Sequence, residues 1–254
     1  MEFFKNILRA IWRVWFYVFF GTSLLLMIPF LFILSIHENQ YPFLYKIIRR
    51  FSKILIFVMG FRLKTSIDEA IDPAKSYMFC PNHTSMMDPF ILISMVKNPI
   101  VFVGKAELRK IPVFGFFYKR ICILVDRTNL SSRKEVYFKA KKRLKNGTSV
   151  AIFPEGLVPT EEVVLSPFKN GAFSLAIEHQ IPIVPATYYD CKRFFSWTKF
   201  KGGPGTFRIK QHFFIETKGL TKKDVPSLKE ATFNVIYKEL IKDEAYMKDT
   251  NRKM

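Results

Sequence analysis

The chain is short of cysteine and short of acid, and each shortage closes off a class of function. Its three cysteines, Cys80, Cys122 and Cys191, stand far apart in 254 residues. The sequence therefore contains neither a CxxC metal site nor a disulfide framework, and the thiols read as buried groups of a reducing compartment. His37, His179 and His212 lack a partner at ligand spacing, so no metal site is expected. Acidic residues number 21 against 40 Lys and Arg, a formal net charge of +19. A surplus of that size points to anionic lipid head groups, an acidic protein or nucleic acid. The chain carries no recognised nucleic-acid motif, internal repeat or low-complexity tract, and a nucleic-acid partner is not expected.

What the chain has in abundance is apolar surface, with 28 phenylalanines and 16% aromatic residues. Residues 14–36, VWFYVFFGTSLLLMIPFLFILSI, run without a charge, enough as helix to cross about 30 Å of hydrocarbon. The run is longer than the apolar core of a signal peptide, and no small-x-small cleavage site follows it before His37 and Glu38. An uncleaved anchor is expected. After a turn at Tyr41-Pro42, residues 43–61 mix Lys46, Arg49, Arg50 and Lys53 with Ile47, Ile48, Leu55, Ile56 and Phe57, the composition of a basic amphipathic helix at a lipid surface. Basic residues flank the apolar run on both sides, so charge leaves spanning or re-entrant topology open. A two-helix hairpin with both ends on the cytoplasmic side reconciles the flanks. Residues 1–64 are thus predicted as membrane-anchoring helices and 65–254 as the main domain, on the cytoplasmic face. The densest basic stretch, residues 133–145, has seven basic residues against Glu135 alone and reads as one exposed helix.

From residue 76 onward, short β-branched or aromatic runs alternate with longer helical stretches, the pattern of an α/β fold with a mixed central sheet flanked by helices. Strands are predicted at 77–80, 100–103, 121–125, 149–153, 183–188 and 207–215. Helices are predicted at 89–96, 111–118, 132–145, 168–179 and 227–243. The glycine-rich stretch 201–205 reads as a surface loop.

The stretch that organises the chain is NHTSMMD, residues 82–88, at a strand-to-helix joint. An imidazole takes a proton from an alcohol near neutral pH, and a carboxylate on its other nitrogen fixes the tautomer and steadies the cation. His83 and Asp88 supply that pair. With no protein nucleophile required, it suits a substrate hydroxyl attacking an activated acyl group, without an acyl-enzyme. Asp88 before Pro89 is equally the signature of a helix N-cap. Polar residues at other strand ends, Lys105, Arg127 and the pair Glu155-Gly156, are each individually read as surface charges or as site residues.

Taken in order, NHTSMMD, VGKAELRKIPVFGFFYKRICILVDR, FPEG, PFKNGAF and IPIVPA resemble the membrane-bound 1-acylglycerol-3-phosphate acyltransferases over residues 76–190. The resemblance implies transfer of a fatty acyl group from an acyl carrier protein or coenzyme A thioester to the free hydroxyl of a lysophospholipid, with no cofactor beyond the donor. It implies His83 as base, Asp88 as its orienter, and Lys105, Arg127, Glu155 and Gly156 as residues that hold the acceptor and its phosphate. Membrane lipids would be the remaining partners. One departure stands out. Many relatives continue Glu-Gly with Thr-Arg, whereas here Leu157-Val158 follows and brings no cation, which leaves another lyso-acceptor open. A non-catalytic membrane-anchored module that binds lipid or an acidic protein is the reading from a different class.

Overall fold

A computed structural model describes residues 2–34, 37–126, 129–197 and 201–249. In chain order the elements are α1 (Glu2–Leu34), α2 (Tyr41–Val58), β1 (Phe61–Ile67), β2 (Met78–Pro81), α3 (Asp88–Met95), β3 (Ile100–Lys105), α4 (Phe114–Ile121) and β4 (Cys122–Val125). There follow α5 (Leu130–Lys145), β5 (Ser149–Ala151), α6 (Gly171–His179), β6 (Ile183–Tyr188), α7 (Cys191–Phe194), β7 (Gly205–Gln211), α8 (Val225–Ile241) and α9 (Glu244–Asp249). The fold is mixed α/β, with helices flanking the strands, as the alternation of patterns predicts. The chain forms two compact units interleaved in sequence: residues 1–59 with 90–150, and residues 60–89 with 151–254.

In the first unit α1 and α2 pack antiparallel. Trp12 Nε1 donates to Met59 O (3.2 Å) and the rings of Phe20 and Phe51 lie 6.0 Å apart. Toward the other end, Leu31 shares a buried cluster with Tyr41, Leu44 and Phe117. α1 also meets α3 through Phe20 and Phe90 (5.6 Å) and α4 through Phe32 and Phe116 (5.8 Å), so it is tied down along its length. α2 turns one face inward: the buried hydroxyls of Tyr41 and Tyr45 donate to Ile100 O and Val96 O. The outer side of α1 is apolar and exposed, from Phe4 through Ile11 and Val18 to Leu26 and Phe30. The strand order in this unit is β5-β3-β4, with β3 and β4 parallel. Ile36, the last residue of the charge-free run, lies outside the described residues.

In the second unit the order is β1-β7-β6-β2. β1 and β7 are parallel, as are β2 and β6, while β6 and β7 are antiparallel. Gly60, at φ 73°, carries the chain from α2 into β1, a backbone conformation that strains any residue with a Cβ. Among the described residues, β1 is the one strand that the sequence did not predict. It starts at Phe61, so residues 61–64, read as the end of the anchoring segment, are strand. Only Phe61 of its seven residues is buried, and an edge strand that alternates Arg62 and Lys64 with apolar neighbours reads as a linker. Phe61 packs on Phe207 (4.3 Å) at the base of this strand pair. α9 likewise occupies residues beyond the last predicted helix.

Candidate active site

The second unit brings the C-terminal ends of the parallel strands β2 and β6 together, where open α/β sheets build sites. β2 runs straight into the 82–88 stretch. Asn82 is buried and locks the loop to β6: its side-chain amide donates to Tyr188 O (3.1 Å) and its carbonyl oxygen accepts from Tyr188 N (2.7 Å). Ser85, also buried, donates its hydroxyl to Phe195 O (2.8 Å) and accepts from Met87 N (3.1 Å). These bonds satisfy groups that would be costly to leave unpaired inside the protein, and they set the loop's path.

On that loop His83 Nδ1 lies 2.8 Å from Asp88 Oδ2. The same oxygen accepts from Thr84 N (2.6 Å) and Ser85 N (2.8 Å). Asp88 sits in the first turn of α3, but its carboxylate serves amides upstream of the helix rather than capping the helix's own. With two amide donors on it, Oδ2 is an acceptor toward the ring. The proton therefore belongs on Nδ1, and Nε2 is left as a free base. Asp88 is wholly buried while the His83 side chain is 20% exposed, so the base reaches solvent and its orienter does not. The ring stacks on Phe153 at 4.1 Å and 23°, which restricts its swing. The buried Cys191 thiol also faces Asp88; burial and that negative charge push its pKa well above the usual thiol range, keeping it an inert SH.

Glu155 follows a turn seated beside β2, where Ile152 N donates to Phe79 O (3.0 Å). Its Oε1 accepts from the backbone amide of His83 (2.6 Å), and its Oε2 from Ser166 N (2.9 Å). Both carboxylate oxygens are thus engaged with backbone, and the residue is 1% exposed. Burial raises its pKa to about 7, against the opposing pull of the two amides. Gly156 closes the turn at φ 74°, its amide donating to Phe153 O (3.0 Å). Beyond it, the buried Lys192 donates to the carbonyls of Thr160 (3.1 Å), Glu161 and Val163 (3.1 Å). Desolvation holds its pKa down at about 8. Ser166, Phe153's stacking and Lys192 were not foreseen as parts of the site. The one local signal for Lys192 is a charge set among the apolar residues of YYDCKRFF.

Of the six residues singled out, His83, Asp88, Glu155 and Gly156 come together in this unit. Lys105 belongs to the other unit, at the end of β3, where it is exposed with Glu107 at 3.7 Å. Arg127 lies outside the described residues. A cleft of about 370 Å³ elsewhere in the second unit is lined by Lys64, Tyr189, Arg208, Lys210, Glu239 and Asp243 among others, and holds none of the six. Its guanidinium is spent on structure: Arg208 bonds Asp190 at 2.6 and 2.7 Å and Asp243 at 2.5 Å.

Residues 62–189 match the family model described as Acyltransferase, half of the chain. The chain belongs to the acyltransferase family. The match takes in all six residues and leaves out α1, α2 and everything from α7 onward. Among relatives, it is 30% identical to 1-acyl-sn-glycerol-3-phosphate acyltransferase beta of Homo sapiens over 184 residues, 72% of this chain and 66% of that one. It is 29% identical over 159 residues to the probable 1-acyl-sn-glycerol-3-phosphate acyltransferase of Mycoplasma pneumoniae, 60% of this chain and 59% of that one. The chain thus spans about three fifths to two thirds of the length of these two acyltransferases. The crystal structure of the 1-acyl-sn-glycerophosphate (LPA) acyltransferase PlsC from Thermotoga maritima shares the fold, with TM-score 0.76 at 20% identity over 95% of this chain and 97% of that one.

Proposed function

We propose that this protein transfers a fatty acyl group from a thioester, of acyl carrier protein or coenzyme A, to the free hydroxyl of 1-acylglycerol-3-phosphate, giving phosphatidate. The observation that carries the reading is the 2.8 Å contact of His83 Nδ1 with an Asp88 oxygen already held by two amides. That arrangement suits Nε2 as general base for an acceptor hydroxyl. As Nε2 takes the proton, the hydroxyl oxygen bonds to the thioester carbonyl carbon, and the tetrahedral oxyanion collapses with cleavage of the C–S bond. The leaving thiolate recovers the proton from the imidazolium, so ester and thiol are the products and no acyl-enzyme forms. The names of the Homo sapiens and Mycoplasma pneumoniae relatives agree with this acceptor.

Glu155 acts in this scheme through His83, since both its oxygens are committed to backbone amides. A carboxylate so placed does not face the acceptor phosphate, which removes the repulsion that a direct role would carry. Lys105 and Arg127 are the cations assigned to the phosphate, Lys as a point charge and Arg with bidentate geometry. The exposed apolar side of α1 attaches the protein to lipid, and the basic residues of α2 favour the cytoplasmic face. Substrate and product are both lipids, so attachment lets the acceptor arrive laterally. One observation favours a second reading with the same chemistry: Val158 stands at the second position after Gly156, where many relatives place the Arg counted among the phosphate contacts, and brings no cation. A different lyso-acceptor would not need one.

The test is a donor-by-acceptor matrix with wild type and His83→Ala side by side. Transfer to 1-acylglycerol-3-phosphate by wild type, lost about 10²- to 10⁴-fold in the variant, is the expected result. Preference for another lyso-lipid moves the assignment to the second reading. Full turnover in His83→Ala overturns the mechanism.

A further inference from the structure

α5 carries a surface that the proposed chemistry does not use. Asn129 caps the helix, accepting from Ser131 N (2.8 Å), and Val136 and Ala140 point inward, 6% and 0% exposed. On the opposite face stands Phe138, 74% exposed. Lys141, Lys142 and Lys145 follow it at i+3, i+4 and i+7, the spacing that places them on one side of a helix with it. All three are exposed. Beside them Lys139 pairs with Glu135 at 2.8 Å. An aromatic ring 74% exposed at the head of a row of lysines has little role in packing its own unit.

Resting on the acyltransferase reading, we propose that this face of α5 docks an acidic protein that carries the acyl thioester, with Phe138 as the apolar anchor and Lys141, Lys142 and Lys145 as its charged rim. A carrier must arrive and leave at every turnover. A small contact with one aromatic ring and a row of cations beside it suits such an exchange, because electrostatics speeds encounter without making the complex long-lived. A lipid surface is a poorer occupant. A helix that lies in a bilayer interface presents a broad apolar face; α1 has one, and this side of α5 offers a single ring.

The experiment compares the full chain with Lys141→Glu/Lys145→Glu and with Phe138→Ser, each assayed with acyl carrier protein and with coenzyme A as donor. The docking face predicts a KM for the protein-borne donor raised about tenfold or more in the charge-reversed variant, with KM for the coenzyme A donor and kcat at saturation unchanged. Phe138→Ser raises the same KM less, and added salt raises it in wild type. An equal change for both donors, an unchanged KM for the carrier, or a wild type that uses coenzyme A alone overturns the docking face. So does loss of flotation on phosphatidylglycerol vesicles at unchanged donor kinetics, which assigns the face to lipid. Failure of wild type with both donors instead overturns the acyltransferase reading itself.

Discussion

The 82–88 loop and α1 depart in opposite directions from the usual arrangement of a water-soluble protein. In the loop, Asn82, Ser85 and Asp88 are polar and 0% exposed; on α1, Leu26 and Phe30 are apolar and 69% and 64% exposed. Buried polar groups and large exposed apolar surfaces are the informative exceptions to burial rules. The difference teaches where each region gets its stability. Most of the loop's buried polar atoms answer one another within the unit, Thr84 Oγ1 and Asp88 Oδ1 being the exceptions, so the path of the loop is set before any substrate arrives. The outer face of α1 has no such internal partner and gains its free energy only from a surrounding that is not water.

The largest expected effect falls on the loop. Asp88→Asn preserves size but removes the charge and the acceptor-only character that set the imidazole tautomer. Turnover should fall by about 10²- to 10⁴-fold with little change in acceptor KM. Unchanged turnover would reduce the buried carboxylate to a structural ligand of the Thr84 and Ser85 amides.

The matching perturbation of α1 is Leu26→Lys with Phe30→Lys. Burying each of these side chains in lipid contributes about 1.5–3 kcal/mol. Partition to vesicles, measured by flotation, should therefore weaken by about a hundredfold or more, while the thermal midpoint in detergent hardly moves. Equal partition of variant and wild type would mean that this face does not meet lipid.

Smaller effects sharpen the account of the loop's surroundings. Lys192→Met leaves the carbonyls of Thr160, Glu161 and Val163 without their shared donor, and should cost about 1–3 kcal/mol in urea unfolding. Glu155→Gln tests the sign of a titration. Burial lifts this carboxyl from its usual 4.5 to about 7, so between those values the folded chain holds a proton that the unfolded chain has released. The stability tied to Glu155 is complete at the low end of the window and is lost as pH rises through it. Thermal melts across the window should show wild type losing stability relative to Glu155→Gln as pH increases. A constant difference between the two would contradict the raised pKa.

Much of this could be read locally. The boundaries of β6 are those that its β-branched run predicts, and α5, α6 and α8 lie within a few residues of their predicted spans. His83 and Asp88 declared themselves through their five-residue separation. Glu155 was legible as a member of the site but not in its role, because nothing near it in sequence says that its partners are the amides of His83 and Ser166. β1 was illegible for a related reason: with Arg62 and Lys64 facing water, only its register with β7, from Phe61 beside Gly205 to Ile67 beside Gln211, makes it a strand.

By itself the sequence determined the apolar helix, the alternation of strands and helices, and the base with its carboxylate, since each depends on spacings of a few residues and on side-chain chemistry. Only the tertiary structure decided that Asp88 serves upstream amides and the imidazole rather than the helix end. It alone set a carboxylate 72 residues away on the backbone of His83. Such bonds follow from which strands lie side by side, and strand pairing between distant segments is fixed by burial of the whole core, which no short stretch of sequence encodes.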